Sequence, residues 1–129
     1  MPGSPQQNIL TKSTLVAIQQ FNNAFNRHDV DAMMEAMTDD CVFETTSPPP
    51  DGARFEGQVN VRAFWEQFFS AAQDQVIDPE EIIACGDRCI MRWIYRWTEA
   101  DGKTGYIRGV DVFRVRDGKV AEKFSYVKG

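Results

Sequence analysis

The stretch Arg88–Val127, RCIMRWIYRWTEADGKTGYIRGVDVFRVRDGKVAEKFSYV, decides the fold. Aromatic and β-branched residues recur in it with a period of two, which predicts strands over Arg88–Thr98, Tyr106–Val115 and Val120–Val127. Turn-forming dipeptides punctuate it: Gly86-Asp87 before the first strand, then Asp101-Gly102 and Asp117-Gly118. Gln75–Cys85 reads as a further strand. Consecutive strands joined by hairpins form an antiparallel meander.

Upstream the period changes to 3.6. Leu15, Ile18, Phe21 and Phe25 share one face of a helix capped at Thr11 or Ser13 and running to about Arg27. Asp29 is placed to cap a short helix with Val30, Met33, Met34 and Met37 inward. A third helix follows Asn60, with Val61, Phe64, Trp65, Phe68, Phe69 and Ala72 on one side. Between them Cys41–Thr45 reads as a strand, and the three prolines of Ser47–Gly52 require a loop. Residues 1–10 are polar and turn-rich, which predicts a flexible arm before a single domain over 11–129. Helices first and strands after give an α+β fold: a curved antiparallel sheet with three helices, from the N-terminal half, around an apolar pocket.

Composition narrows the function. A net charge of −5 on 129 residues argues against a nucleic-acid footprint. No apolar run is long enough to span a membrane and no signal peptide precedes the domain, so a soluble, cytoplasmic protein is expected. Cys41, Cys85 and Cys89 are expected to be reduced and mostly buried. A two-residue Gly86-Asp87 hairpin pairs Cys85 with Arg88 and Cys89 with Ala84, so these two thiols face opposite ways. One histidine, and no Cys or His pair at zinc spacing, predicts no metal. His28, beside the capping Asp29, reads as structural, and Glu44 and Glu56 as solvated charges flanking the proline loop.

Asp111 is the sharpest candidate for chemistry. Its strand face carries Ile107, Gly109, Phe113 and Val115, so it is a lone charge among apolar residues, at a position where Asp disfavours strand. Its partner depends on the Asp117-Gly118 turn. A two-residue hairpin sets Phe124 opposite Asp111, whereas a three-residue loop sets Lys123 there and turns Ala121, Lys123, Ser125 and Val127 to the same side. The face Cys89, Met91, Trp93, Tyr95, Trp97 reads either as core or as the lining of a ligand cavity whose polar handles await partners. The opposite face, Ile90, Arg92, Ile94 and Arg96, is apolar enough to suggest a homodimer surface.

Several phrases together resemble the NTF2-like superfamily, and within it the SnoaL-like and ketosteroid-isomerase-like group. They are Phe25-Asn26-Arg27-His28-Asp29-Val30-Asp31, Thr38-Asp39-Asp40-Cys41-Val42-Phe43, Phe55-Glu56-Gly57 leading into Val61-Arg62-Ala63-Phe64-Trp65, and the terminal hairpin Gly109–Val120. The resemblance spans about residues 13–127. It implies a cone-like sheet around a deep pocket and, commonly, a homodimer. It places Asp111 where SnoaL-type cyclases carry a general base. Ketosteroid isomerases carry a protonated donor there, a carboxylic acid kept neutral by its apolar site. The resemblance also turns Trp93 and Tyr95 into the pocket, with Trp97 near the mouth, and puts Phe113, Lys123 and Ser125 among the lining positions.

Two positions depart from the isomerases. Phe21 stands where they have a catalytic Tyr, and Thr45 where they have the proton-shuttling Asp. A phenyl ring cannot donate to an oxyanion, and a threonine hydroxyl is no base near neutral pH. The Asp/Arg/Asp set of limonene-epoxide hydrolases is also absent, with Ser125 in place of its last Asp. The expectation is therefore a cofactor-independent protein for a hydrophobic carbonyl compound, either an enzyme using Asp111 or a binder that lacks the chemistry. A dimeric protein-interaction module is the third reading.

Overall fold

The computed structural model describes residues 4–129. Its elements run α1 (Pro5–Asn26), α2 (Val30–Glu35), β1 (Met37–Glu44), β2 (Arg54–Glu56), α3 (Gly57–Ser70), β3 (Gln73–Cys85), β4 (Arg88–Thr98), β5 (Thr104–Arg116) and β6 (Lys119–Val127). The six strands form one curved, unclosed sheet in the order β2-β1-β6-β5-β4-β3, and α1 and α3 pack on its inner face. The α+β expectation holds.

One pair departs from the antiparallel expectation. β1 and β6 run parallel, while every other neighbouring pair is antiparallel. The long connection between β1 and β6 imposes no hairpin direction, so the pair is free to align in parallel.

The meander forms where its turns were read. Ala84 pairs with Cys89 and Cys85 with Arg88, as a two-residue Gly86-Asp87 hairpin requires. Asp117 and Gly118 both take positive φ, 54° and 74°, the backbone of the tight hairpin turn that suits twisted strands. β3 lies at the sheet edge, where Pro79, which has no N–H to donate, coincides with a shift of register.

The N-terminal arm is a correction. From Ser4 onward residues 4–10 are the cap and first turns of α1, and residues 1–3 lie outside the described residues. The Ser4 hydroxyl accepts from Gln7 N at 3.0 Å and Pro5 occupies the first turn, a strong start signal. Thr11, expected as a cap, lies inside the helix. Its hydroxyl accepts from Gly86 N at 2.9 Å, and the Thr14 hydroxyl donates to Gly86 O at 2.7 Å, so α1 grips the β3–β4 hairpin. Similarly, α3 begins at Gly57 rather than after Asn60. Gln58 Nε2 ties it to the carbonyls of Met34, Met37 and Thr38 at 3.0–3.1 Å.

The shorter joints follow the sequence. Asp29 caps α2 by accepting from Ala32 N at 3.0 Å. His28 takes a left-handed backbone (φ 56°), and its ring stacks on Phe69 with Nε2 2.6 Å from Gln75 O. This is the structural role read for it. Cys41 and Cys89 are buried, but Cys85 is exposed, against the expectation for all three. It sits at the hairpin end, where only the exposed first turns of α1 reach it, Gln7 Nε2 lying 3.7 Å from its sulfur. Burial pushes the Cys89 thiol up to about 11, which keeps it protonated and inert.

The core fills the space between the helices and the sheet. Ile18, Phe21 and Phe25 of α1 and Val61 and Trp65 of α3 meet Cys41, Phe43, Met91, Phe113 and Val115 of the strands, all buried. Among the described residues, no helix is long and apolar enough to cross a membrane.

Candidate functional site

A register shift between β5 and β6 builds the site. The strands pair Arg116 with Lys119 and Val115 with Val120, then slip by one residue so that Arg114 pairs with Glu122, Phe113 with Lys123 and Asp111 with Ser125. A β-bulge thus follows the tight turn, and neither register expected for Asp111 is the observed one. Its neighbour across the ladder is Ser125, not Phe124 or Lys123. The bulge nevertheless turns Ala121, Lys123 and Ser125 to the inner face, as the three-residue loop would have done.

The result is a short polar chain inside an apolar body. Asp111 is fully buried, and its Oδ1 accepts from the Ser125 hydroxyl at 2.6 Å. Lys123 Nζ donates to that same Ser125 oxygen at 2.9 Å. Nζ also lies 3.3 Å from Asp111 Oδ2, with side-chain exposures of 5% and 0%. That contact is an ion pair, and among the described residues Oδ2 has no further donor. Desolvation is the stronger influence on the Lys123 ammonium and lowers its pKa from the usual lysine range, with Asp111 opposing. The ammonium also rests 4.3 Å from the centre of the Phe43 ring and 5.5 Å from Trp65, where a cation is attracted to the aromatic faces.

This chain ends on a small aromatic cavity of about 100 Å³, whose walls include Phe43, Trp65, Trp93, Tyr95, Lys123 and Ser125. A larger hollow of about 560 Å³ lies outside it along the loop Glu44–Arg54. The two share Thr45, Thr46 and Ser125 as wall residues. We place the site in the smaller one, because only there do a buried cation and aromatic faces converge. Among the described residues, the indole N–H groups of Trp65 and Trp93 find no partner. Burial raises the Tyr95 phenol, so it stays a hydrogen-bond donor.

Two glycines of β5 make room for the indoles of β4. Trp93 faces Gly109 and Trp97 faces Gly105 across the β4–β5 ladder. A Cβ at Gly109 would lie 2.5 Å from the Trp93 ring and one at Gly105 2.4 Å from the Trp97 ring, so each indole lies over a position that only glycine leaves open.

The expected site residues divide by depth. Trp93, Tyr95, Thr45, Lys123 and Ser125 reach the cavity wall. Asp111 does not line the cavity: Ser125 and Lys123 stand next to it in the hydrogen-bonded chain, and it is fully buried. Phe21 and Phe113 point inward as read but are core, edge-on to each other at 6.4 Å. Trp97 stacks on Tyr95 at 5.1 Å and is not part of the cavity wall. The Thr45 hydroxyl is committed to its own loop, donating to Ser47 O at 2.8 Å and accepting from Ala53 N at 2.9 Å. Sequence reading missed Phe43 and Trp65 as cavity residues, although Phe43 on a strand and Trp65 at the centre of an aromatic helix face were available signals. Among the described residues, no three His, Cys, Asp or Glu side chains gather as a metal would require.

Known proteins place the chain. A family model, the SnoaL-like domain, matches residues 18–123. An NTF2-like protein of unknown function from Mesorhizobium loti is 35% identical, covering 100% of this chain and 98% of that one, with a TM-score of 0.78. A Mycobacterium tuberculosis protein solved in complex with estradiol-17β-hemisuccinate is 24% identical, covering 88% and 92%, with a TM-score of 0.77. A limonene-epoxide-hydrolase-like epoxide hydrolase of the same organism is 19% identical, covering 92% and 84%, with a TM-score of 0.78. These last two share the fold. No curated protein matches the chain. Matched over most of its length by the family model and throughout by the Mesorhizobium relative, the chain belongs to the SnoaL-like domain family of NTF2-like proteins.

Proposed function

We propose that this chain binds a hydrophobic carbonyl compound in the aromatic cavity and moves a proton on it. The observation that carries this reading is the buried Lys123–Ser125–Asp111 chain ending on that cavity. Lys123 stabilises negative charge developing on the carbonyl oxygen, a preorganised cation in a poorly solvated place. Ser125 passes a proton between the ligand and Asp111, whose Oδ1 accepts from the Ser125 hydroxyl at 2.6 Å and makes it the acceptor at the end of the relay. Trp93 and Tyr95 hold the ring system by stacking, with the Trp93 indole N–H available to it. The ligand of one fold relative, estradiol-17β-hemisuccinate, supports a hydrophobic compound as the class. No metal or cofactor enters this scheme, and neither a nucleic acid nor a membrane is a partner in it.

The test is uptake of solvent deuterium at the carbon next to the carbonyl of indanone and related hydrophobic ketones. Uptake faster than in buffer is expected, falling by about 10²–10⁴ in Asp111→Asn. No uptake across the series would overturn proton transfer. A second reading, ligand binding without turnover, is favoured by Phe21 being sealed in the core and by the Thr45 hydroxyl being bound within its loop. Saturable quenching of tryptophan fluorescence without deuterium uptake would select it.

A homodimer through the outer sheet face belongs to the same proposal, acting in a cytoplasmic setting. Ile83, Ile90, Tyr106 and Tyr126 are large exposed side chains on that face, and Arg92 and Arg96 beside them are exposed as well. Ile94, expected to lose exposure on association, is already 9% exposed in the single chain. Light scattering at micromolar concentration should give twice the monomer mass, and a monomer alone would refute the dimer.

A further inference from the structure

We propose that Lys123 is a nucleophile toward the carbonyl compounds this cavity takes, forming an imine through Nζ, so that the site recognises aldehydes and ketones covalently. This rests on the carbonyl reading of the site and deepens it. Three observations converge. Nζ is in the wall of an aromatic cavity, the side chain that carries it is only 5% exposed, and it is wired to an acceptor through one hydroxyl.

The geometry removes the usual obstacle to lysine chemistry. An exposed lysine is neutral in only about one molecule in 2,500 at pH 7, and only the neutral amine attacks. Here Lys123 can pass a proton to Ser125 Oγ while Ser125 passes its own to Asp111 Oδ1. The net charge of the group is unchanged, and a neutral amine beside a neutral acid replaces an ion pair. In an apolar surrounding this exchange avoids keeping two charges out of water. Desolvation also lowers the Lys123 pKa, in the direction that favours the amine.

The step balances without an added reagent. The amine lone pair bonds to the carbonyl carbon while the C=O π pair moves to oxygen, which takes a proton to give a carbinolamine. The nitrogen lone pair then forms C=N as the hydroxyl leaves, protonated, as water. The two amine hydrogens depart with the oxygen, and the proton parked on Asp111 is lent for the departure and returned. Once the proton held by Asp111 moves to the imine nitrogen, the resulting iminium draws electrons from the neighbouring carbon more strongly than a hydrogen-bonded ketone does.

The chain has four other lysines, Lys12, Lys103, Lys119 and Lys128, all exposed, and they serve as internal controls. The wild-type protein is incubated with benzaldehyde and sodium cyanoborohydride, and benzylated sites are mapped by peptide mass spectrometry. Benzylation of Lys123 at least about tenfold faster than of any other lysine is expected, since its amine can hand a proton to Asp111 through Ser125 at the cavity where the aldehyde binds. Lys123→Arg and Lys123→Met should both lose the fast phase, and Ser125→Ala should slow it. Even or surface-only labelling would overturn the inference. Quenching of tryptophan fluorescence by benzaldehyde alone, without the reductant, separates the two readings. Quenching with no fast Lys123 adduct refutes the imine and leaves the binding site standing, whereas neither signal refutes both.

Discussion

The two faces of one sheet carry the same kinds of charge in opposite settings. On the outer face, Arg92 meets Glu81 at 2.9 Å, Arg108 meets Glu80 at 2.7 Å, and Arg96 pairs with Asp78, with the arginine side chains about half exposed. On the inner face, Lys123 and Asp111 make one pair with almost no exposure at all. Water screens the outer pairs, and each is worth little. The inner pair has given up its hydration, so its partners depend on each other and removing one strands the other. A charge that contributes so little net stability, kept where an aromatic cavity ends, is more readily understood as chemistry than as scaffolding.

The largest effect expected from breaking this comparison is at the inner pair. Asp111→Asn leaves a buried lysine with no counter-charge and should destabilise the fold by about 3–5 kcal/mol near neutral pH. Asp111→Asn combined with Lys123→Met should recover most of that loss. Chemical denaturation of Asp111→Asn, Lys123→Met and the double variant reads the coupling directly. The loss should shrink as pH rises. The folded-state pKa of Lys123 is lowered, so the unfolded chain binds the extra proton and stability rises with pH up to the ordinary lysine value of 10.5. Cys89 acts oppositely above pH 9.0, where the unfolded thiol ionises before the folded one, whose pKa is about 11. Lys123→Met should remove the rising component and keep the falling one. If the single variant is as stable as the wild type, the inner pair is screened like the outer ones and the contrast fails.

The smallest effect is expected on the outer face. Arg92→Ala breaks the exposed Glu81 pair and should leave the denaturation midpoint of the monomer nearly unchanged. A loss comparable to that of Asp111→Asn would show that the outer charges form a cooperative network rather than isolated pairs.

What could be read from the sequence follows from what each signal encodes. Alternation over Arg88–Val127 reports which face a side chain takes, and it put Asp111, Trp93 and Tyr95 inward. It does not report depth. Phe21 and Phe113 share the inner face with the cavity residues yet sit in solid core. The partner of Asp111 depended on a bulge between Val115 and Arg114, which no residue type in the hairpin announces. Parity rescued half of the answer, because registers differing by two residues present the same face. The early start of α1 leaves no periodic signal, because Ile9 and Leu10 are exposed and carry no inward stripe and only the capping chemistry of Ser4-Pro5 marks it. Likewise the strand signal of β1 begins at Cys41 in the sequence, whereas the strand itself begins at Met37 through an irregular stretch beside β6.

The central claim is that ligands meet this protein at the inner cavity and its lysine. Side-chain NMR of the lysine ε-carbons and tryptophan indoles during titration with indanone tests it most directly. The account predicts saturable shifts at Lys123, Trp65 and Trp93, with Lys12, Lys103, Lys119 and Lys128 unmoved. Shifts that spare Lys123 and gather instead at residues of the Glu44–Arg54 loop would contradict it.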